Sequence, residues 1–271
     1  MSEPANLRAA YQHGHHPSVV ADHAKRTAEV VAAFFLPFLE PGMRLLDVGC
    51  GPGSITSGLA QRVAPGETIG IDPSPSVIET ARALAGGAPH LNFEVGDIHQ
   101  PRFGAETFDA IFAHQVLQHL GRPVEALTQI RILLKHGGLV GAREVDWGST
   151  TFYPQDQGMR RFLTLYYELA RRNGAEPDAG RHLRRWFREA GFGETRVSTS
   201  TVSYTDPVAT RDWGETYAER TLRSNIADRA LELGIATRSD LENIAAAWRA
   251  WAGDPDAYFC FCHTEVVAWK R

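Results

Sequence analysis

The feature that most constrains the fold of this chain is a short apolar strand that runs into a glycine-rich loop and then into a helical pattern. The segment reads LLDVGCGPG over residues 45–53. Glycines in such a loop let the backbone approach a ligand closely, because no Cβ stands in the way. Open α/β sheets bind ligands at the carboxyl ends of their strands. The segment therefore predicts an α/β sheet with a ligand site beside Gly49 and Gly51.

The same alternation of strands and helices continues along the chain. Strand patterns separated by helical patterns occur at residues 43–48, 68–71, 91–95, 108–113, 139–145, 195–204 and 258–269. This spacing is typical of βαβ units in a parallel sheet, and the last two strands suit an antiparallel pair at its edge. We expect one doubly wound, Rossmann-like α/β domain over residues 1–271. Its predicted parts are N-terminal helices with a lid (1–40), a ligand-binding core (43–145) and helical cap segments (147–190 and 205–256).

Charge and cysteine content exclude several classes of protein. The 271 residues include 28 Lys and Arg against 32 Asp and Glu, a net charge of −4, so no global field attracts nucleic acid or an anionic membrane. The longest apolar run, residues 30–39, is half of the about 20 residues that a membrane span needs. Three cysteines cannot form a disulfide framework and suit a reducing compartment. We expect a cytoplasmic protein that binds neither nucleic acid nor membrane.

Two acids stand where the second and third strands end. Asp72 follows Gly49 by 23 residues and could accept hydrogen bonds from both hydroxyls of a ribose. Asp97 ends the next strand and could accept from an exocyclic amine such as that of adenine. The alternative role of each acid is a helix cap or turn residue. A dinucleotide fingerprint would have Gly or Ala at position 54, where this chain has Ser54, which disfavours a nicotinamide dehydrogenase.

Five segments in order resemble the motif series of class I S-adenosylmethionine-dependent methyltransferases: LLDVGCGPG, TIGIDPS, FEVGDI, FDAIFAHQVLQHL and LKHGGLV. The resemblance covers residues 43–145 and is closest to the ubiquinone/menaquinone-biosynthesis type of small-molecule enzymes. It implies S-adenosylmethionine as cofactor, a small-molecule acceptor, and a seven-stranded sheet whose last strand is antiparallel. His136 departs from the family, which commonly has Pro before the double glycine.

The resemblance also implies which residues bind the cofactor. By family position the loop glycines lie against its methionine part, and the two strand-end acids hold its ribose and adenine. The residues concerned are Gly49 and Gly51 for the methionine, Asp72 for the ribose, Asp97 and Ile98 for the adenine, and Asp47 for the order of the loop. His114, after the fourth strand, is placed beside the cofactor.

A histidine-rich segment precedes the first helix and is expected to fold over the cofactor as a lid. In this interpretation Tyr11 closes on the cofactor and Arg26 meets its carboxylate. Metal binding by His13, His15 and His16 is the alternative, but no carboxylate or cysteine stands at a suitable spacing. We therefore expect no metal.

Methyl transfer to oxygen benefits from a general base, and histidine is the usual one. Family position places His114 and His119 beside the reactive face; for His119 the alternative is a cap on the turn before Gly121. Glu144 and Asp146 are expected to end the fifth strand at the substrate mouth. There an acid could bind an amine, orient a histidine or act as the base, and the alternative is a surface carboxylate paired with an arginine. We favour O-methylation, although N- and C-methylation share the scaffold.

Two further features allow more than one interpretation. Eight arginines lie between residues 160 and 188, and helical spacing favours the solvated face of an amphipathic helix over a phosphate site. Aromatic residues of the cap segments could line an apolar acceptor pocket.

The alternative function is a cofactor-binding protein of the same fold that does not methylate, such as a cyclase or a regulatory partner. A homodimer is left open.

Overall fold

A computed structural model describes residues 26–271, in which seven strands form one sheet of order β3-β2-β1-β4-β5-β7-β6. The strands are β1 Leu45–Val48, β2 Thr68–Asp72, β3 Leu91–Val95, β4 Phe108–His114, β5 Leu134–Tyr153, β6 Glu194–Tyr204 and β7 Tyr258–Trp269. Strands β1 to β5 pair in parallel, and β7 is antiparallel to both β5 and β6. The predicted doubly wound α/β sheet with an antiparallel last strand is confirmed.

Helices connect the strands and cover both faces of the sheet. They are α1 Ala28–Val31, α2 Ser54–Val63, α3 Pro75–Ala85, α4 Pro123–Leu133, α5 Gln157–Arg172, α6 Ala179–Glu189, α7 Pro207–Arg223, α8 Asn225–Glu232 and α9 Arg238–Ala252, with short 3-10 helices at Leu36–Phe38 and Leu117–His119. Local sequence explains several starts. Asp156 accepts from the Met159 N–H ahead of α5, and Thr237 with Asp240 forms a capping box ahead of α9.

Strand β5 differs most from the sequence prediction, which ended it at residue 145. It continues to Tyr153 because β7 pairs with it from Leu139 to Asp146 and, after a register shift, again from Thr151 to Tyr153. Trp147 and Phe152 on this extension are buried. Glu144 and Asp146 therefore lie in the middle of a strand, and the prediction that they end it is wrong.

The two faces of the sheet carry different cores. On one face α4 and α6 pack against β1, β4 and β5. On the other face, residues 28–39 cover one end, where Phe35 stacks on Phe112 with ring centroids 5.4 Å apart. The far end of that face is covered by an aromatic cluster, here called the aromatic cap: Val145, Trp147, Phe162, Tyr166, Trp213, Tyr217, Trp248, Phe259 and Phe261. Among residues 26–271 no helix has both the length and the hydropathy that crossing a bilayer requires.

Candidate active site

The glycine loop directly follows β1. Gly49, Gly51 and Gly53 have φ angles of +68°, +54° and +84°, in the left-handed region that favours glycine. The N–H groups of Gly49 and Cys50 both donate to the carbonyl of Ile71, at 2.8 and 3.0 Å, which ties the loop to the end of β2. A Cβ built on Gly51 would meet no heavy atom within 4 Å. At Gly51 the loop thus presents bare backbone to open space, as a ligand cradle requires.

Asp47 lies beneath this loop and is 3% exposed. Its Oδ2 accepts a hydrogen bond of 2.6 Å from Thr56 Oγ1 on α2, which links β1 to the helix after the loop. Burial raises the pKa of Asp47 to about 7, the hydrogen bond from Thr56 lowers it, and the nearby charge of Asp72 raises it further. This contact suits the predicted role of ordering the loop.

The two strand-end acids lie at the same edge of the sheet as the loop. Asp72 pairs in register with Val95, and its carbonyl accepts from the Gly96 N–H at 3.1 Å. The Asp72 carboxylate accepts from the backbone N–H of Ser74 at 2.9 Å. The Asp97 carboxylate accepts from the backbone N–H of His99, also at 2.9 Å. Each acid therefore shapes its own turn, the alternative role that the sequence left open, while both stand at the ligand edge.

Ile98 and Arg26, two further predicted cofactor contacts, have different neighbours. The Ile98 side chain is 4% exposed and packs in the core between the sheet, α4 and α6. Arg26 begins the described chain and donates from Nη1 to the Gln115 side chain at 2.7 Å. Tyr11 and the histidines of the predicted lid lie outside the described residues.

The segment after β4 lies directly on the glycine loop. Val48 pairs with Ala113, which places His114 level with Gly49. A Cβ on Gly49 would stand 2.4 Å from Val116 Cγ2, so only glycine lets the segment approach this closely. The loop and this segment together form the floor of the candidate site.

Glu144 holds that segment in place. Its carboxylate accepts from the N–H groups of Val116 at 2.8 Å, Leu117 at 2.7 Å and Gln118 at 3.4 Å. The side chain is 0% exposed; burial raises its pKa to about 8, although the backbone hydrogen bonds act in the other direction. Glu144 is thus a buried anchor and not a surface carboxylate paired with an arginine.

Both predicted histidine bases are neighbours of this floor. His114 ends β4 with 9% of its surface exposed. His119 ends the 3-10 helix Leu117–His119, where its backbone N–H donates to the Val116 carbonyl at 3.0 Å. Burial lowers the pKa of His119 to about 4.

Sequence reasoning missed a buried polar cluster on β5, β6 and β7. His263 is 2% exposed; its Nε2 lies 2.9 Å from Gln115 Nε2, and its ring centroid lies 6.2 Å from that of His114. Arg143, 4% exposed, faces Glu265, with Nε 3.4 Å from Oε1. The available signal was the alternation of β7, which puts His263 and Glu265 on one face between Phe261 and Val267.

Asp146, unlike Glu144, pairs with the arginine-rich helix. Its two oxygens accept from Arg181 Nε at 2.7 Å and Nη2 at 2.5 Å. The other arginines of α6 are exposed and line a surface groove of about 610 Å³ with Phe192, Gly193 and Thr195. Within residues 26–271 no group of His, Cys, Asp and Glu is arranged to hold a metal ion.

Comparisons with known proteins agree with this geometry. Residues 39–191 match the family model described as a methyltransferase domain. The chain is 32% identical to the uncharacterized methyltransferase C1B3.06c of Schizosaccharomyces pombe over 100% of both chains. It is also 32% identical to the probable methyltransferase ltbC of Aspergillus luteorubrus, over 96% of this chain and 97% of the relative.

A solved structure shows the same fold with cofactor present. It is phosphoethanolamine N-methyltransferase 2 of Haemonchus contortus in complex with S-adenosyl-L-methionine, with a TM-score of 0.57 and 18% identity over 89% of this chain and 51% of that one. The glycine cradle, the strand-end acids and the family match lead to one conclusion. The chain belongs to the class I S-adenosylmethionine-dependent methyltransferases that act on small molecules.

Proposed function

We propose that the enzyme methylates an oxygen atom of a small, largely apolar acceptor bound between the glycine loop and the aromatic cap. The observation that carries the proposal is the position of His114. It is level with Gly49 on one side and in register with Arg143 on the other. Because Val145 follows Arg143 on the same face of β5 and belongs to the aromatic cap, His114 stands between the cofactor loop and the cap.

The cofactor would be held along the carboxyl ends of β1 to β4. The open space at Gly51 and the strand-end carboxylates fit a ligand with a ribose and a base. When bound, it supplies a methyl group already activated on a sulfonium. The proposed contacts implied by the family are Gly49 and Gly51 for the methionine part, Asp72 for the ribose, Asp97 with Ile98 for the adenine, and Asp47 for the order of the loop. In addition, Tyr11 is proposed to close on the cofactor and Arg26 to meet its carboxylate.

His114 is the proposed general base, which takes the proton from the acceptor hydroxyl during attack. A base works best when its pKa lies near the working pH. The pKa of His119, lowered by burial to about 4, is far from that condition, so His119 is the second candidate. Glu144 contributes by anchoring the backbone at residues 116–118 and not by direct proton transfer.

An apolar acceptor is supported by the aromatic cap. Its rings pack closely above the polar residues of β5 and β7; Phe261 lies 5.2 Å from the His263 ring and 5.5 Å from Trp147, between centroids. A relative from Halalkalibacterium halodurans, malonyl-[acyl-carrier protein] O-methyltransferase, is 32% identical over 40% of this chain. The solved N-methyltransferase described above has the same fold, so the experiment must distinguish oxygen from nitrogen.

The test is the identity of the methylated atom. The purified enzyme is incubated with S-adenosylmethionine carrying a ¹³C-methyl group and with matched naphthols, naphthylamines and naphthoic acids, and the products are identified by ¹³C NMR. We expect methyl ethers or esters. His136→Gln changes an exposed histidine remote from the site and should give the same products as the wild type. Products methylated only on nitrogen or carbon would refute the proposal.

The proposed location is the cytoplasm. Cys50, Cys260 and Cys262 are all free thiols. Free thiols of this kind persist in a reducing compartment.

A further inference from the structure

The Gln115 side chain connects Arg26 to His263 and thereby determines which nitrogen of the His263 ring carries a proton. An arginine nitrogen only donates, so the atom 2.7 Å from Arg26 Nη1 must be the amide oxygen of Gln115. The amide nitrogen then faces His263 Nε2 at 2.9 Å. Since an amide nitrogen also only donates, His263 Nε2 is the acceptor, and in the neutral ring the proton sits on Nδ1.

The ring stays neutral because of its surroundings. Burial lowers the pKa of His263 to about 2, and the positive charges of Arg143 and Arg26 contribute to the decrease. His263 is 2% exposed, and Nδ1 is buried without a hydrogen-bond partner among residues 26–271. Buried donors without acceptors are rare in folded proteins because each has given up its hydrogen bonds to water. Nδ1–H is therefore a fixed donor whose acceptor is not supplied by the described chain.

This donor lies where the acceptor molecule is proposed to bind. The His263 ring centroid is 6.2 Å from the ring of His114 and 5.2 Å from that of Phe261 in the aromatic cap. A second buried donor, Trp213 Nε1, also has no partner in the described part of the chain, and its ring lies 5.8 Å from Phe261. Two buried donors whose rings both lie within 6 Å of Phe261 suit a ligand with an apolar body and oxygen atoms.

We propose that His263 Nδ1 donates a hydrogen bond to a carbonyl or carboxylate oxygen of the acceptor. The acceptor class is then a hydroxyl compound with such an oxygen close to the methylated hydroxyl. This inference rests on the proposed O-methylation and assigns His263 as the residue that selects the acceptor. Gln115 and Arg26 are positioning residues, because they act on the acceptor only through the ring of His263.

The first experiment observes the proton directly. Full-length protein with ¹⁵N-labelled histidine and bound S-adenosylhomocysteine is examined by long-range ¹H–¹⁵N NMR, and His263 is assigned by the loss of its signals in His263→Gln or, should that variant not fold, in His263→Asn. We expect the neutral Nδ1–H tautomer at pH 7. Gln115→Met should shift the ring toward the Nε2–H tautomer, whereas the exposed control Gln100→Met should leave it unchanged. An Nε2–H tautomer or an imidazolium in the wild type would overturn the proposal.

The second experiment tests recognition with three probes of similar shape: 1-hydroxy-2-naphthoic acid, 1-hydroxy-2-acetonaphthone and 2-ethyl-1-naphthol. A site built to donate to an oxygen rejects analogues that lack it, so we expect the two oxygen-bearing probes to bind at least about 100-fold more tightly than the ethyl compound. In His263→Leu the difference should shrink to about threefold, and His263→Asn, whose amide nitrogen can take the place of Nδ1, should restore part of it. Equal affinity of the three probes, no binding by either oxygen-bearing probe, or a preference that persists in His263→Leu would overturn the inference.

The two proposals fail separately. If the tautomer and the probe preference hold but methyl groups appear only on nitrogen, O-methylation is refuted and the role of His263 stands. If methyl ethers form and His263→Leu leaves KM for the oxygen-bearing acceptors unchanged, the role of His263 is refuted and O-methylation stands.

Discussion

Two proposed parts of the site are built in different ways: the cofactor edge, where the glycine loop meets the ends of β2 and β3, and the acceptor side, which is the polar cluster on β5, β6 and β7. At the cofactor edge, Gly49 and Asp72 belong to short continuous motifs whose geometry depends mainly on local backbone conformation. On the acceptor side, Gln115 meets His263 across 148 residues of sequence, and Arg143 meets Glu265 across 122. The first kind of site is carried by local sequence, and the second exists only after the strands have paired. Changes at the two sides should therefore have different consequences.

The largest effect is expected at the boundary between the two sides. Removing a general base costs a factor of about 10²–10⁴ in rate. His114→Gln should therefore lower the single-turnover rate with an oxygen acceptor by a factor in that range. Melting temperature and affinity for S-adenosylhomocysteine should stay unchanged, and the rate should recover at high pH as the acceptor ionises. His119→Gln is measured in parallel. Turnover within about threefold of wild type in both variants would exclude His114 and His119 as the base.

The next effect tests the cofactor edge alone. If Asp72 accepts from both ribose hydroxyls, Asp72→Ala removes two charge-assisted hydrogen bonds of about 1.5–3 kcal/mol each. Calorimetry should show the affinity for S-adenosylhomocysteine falling at least about 100-fold, with the fold intact. Glu94→Ala, at an exposed position on the neighbouring strand, is the control. NADH should show no saturable binding, and an unchanged affinity in folded Asp72→Ala would contradict the assignment.

The third prediction concerns the pH dependence of stability. Burial raises the pKa of Glu144 to about 8 from its ordinary 4.5, so between these values the folded protein holds a proton that the unfolded chain releases. The free energy of unfolding should therefore fall as pH rises from about 5 to about 8, by up to about 1.4 kcal/mol per unit from this one group. Glu144→Gln cannot ionise, so its stability should change less over that range.

Urea unfolding at pH 5, 6, 7 and 8 measures this slope. Glu125→Gln is the matched control, because that side chain is 58% exposed and on the surface of α4. A slope in Glu144→Gln equal to that of the wild type would show that Glu144 does not carry a raised pKa.

The smallest effect compares two glycines of one loop. Both Gly49 and Gly51 have positive φ, so alanine at either position should cost at least about 1 kcal/mol of stability. At Gly49 the new Cβ would also stand 2.4 Å from Val116 Cγ2, whereas at Gly51 it meets nothing within 4 Å. Gly49→Ala should thus lower the melting temperature more than Gly51→Ala. Equal losses would mean that Val116 moves aside without cost.

Much of the local geometry at the proposed cofactor edge could be predicted from sequence. The glycine loop and the acids at the ends of β2 and β3 all lie within 50 residues, and the structure brings them to one edge. The sequence does not predict the end of a strand correctly where that end depends on pairing with a distant strand. The end of β5 was placed at residue 145, because the pattern of β5 alone does not show that β7 continues to pair with it as far as Tyr153.

The sequence by itself determined the order of the strands, the conformation of the glycine loop and the acids at the ends of β2 and β3. These follow from hydrophobic alternation and from the positive φ that glycine allows, both of which act over a few residues. Only the tertiary structure decided that Glu144 is a buried anchor and that Gln115 binds His263. Such contacts depend on which strands are neighbours and in which register, and alternation along one strand carries no information about its partner.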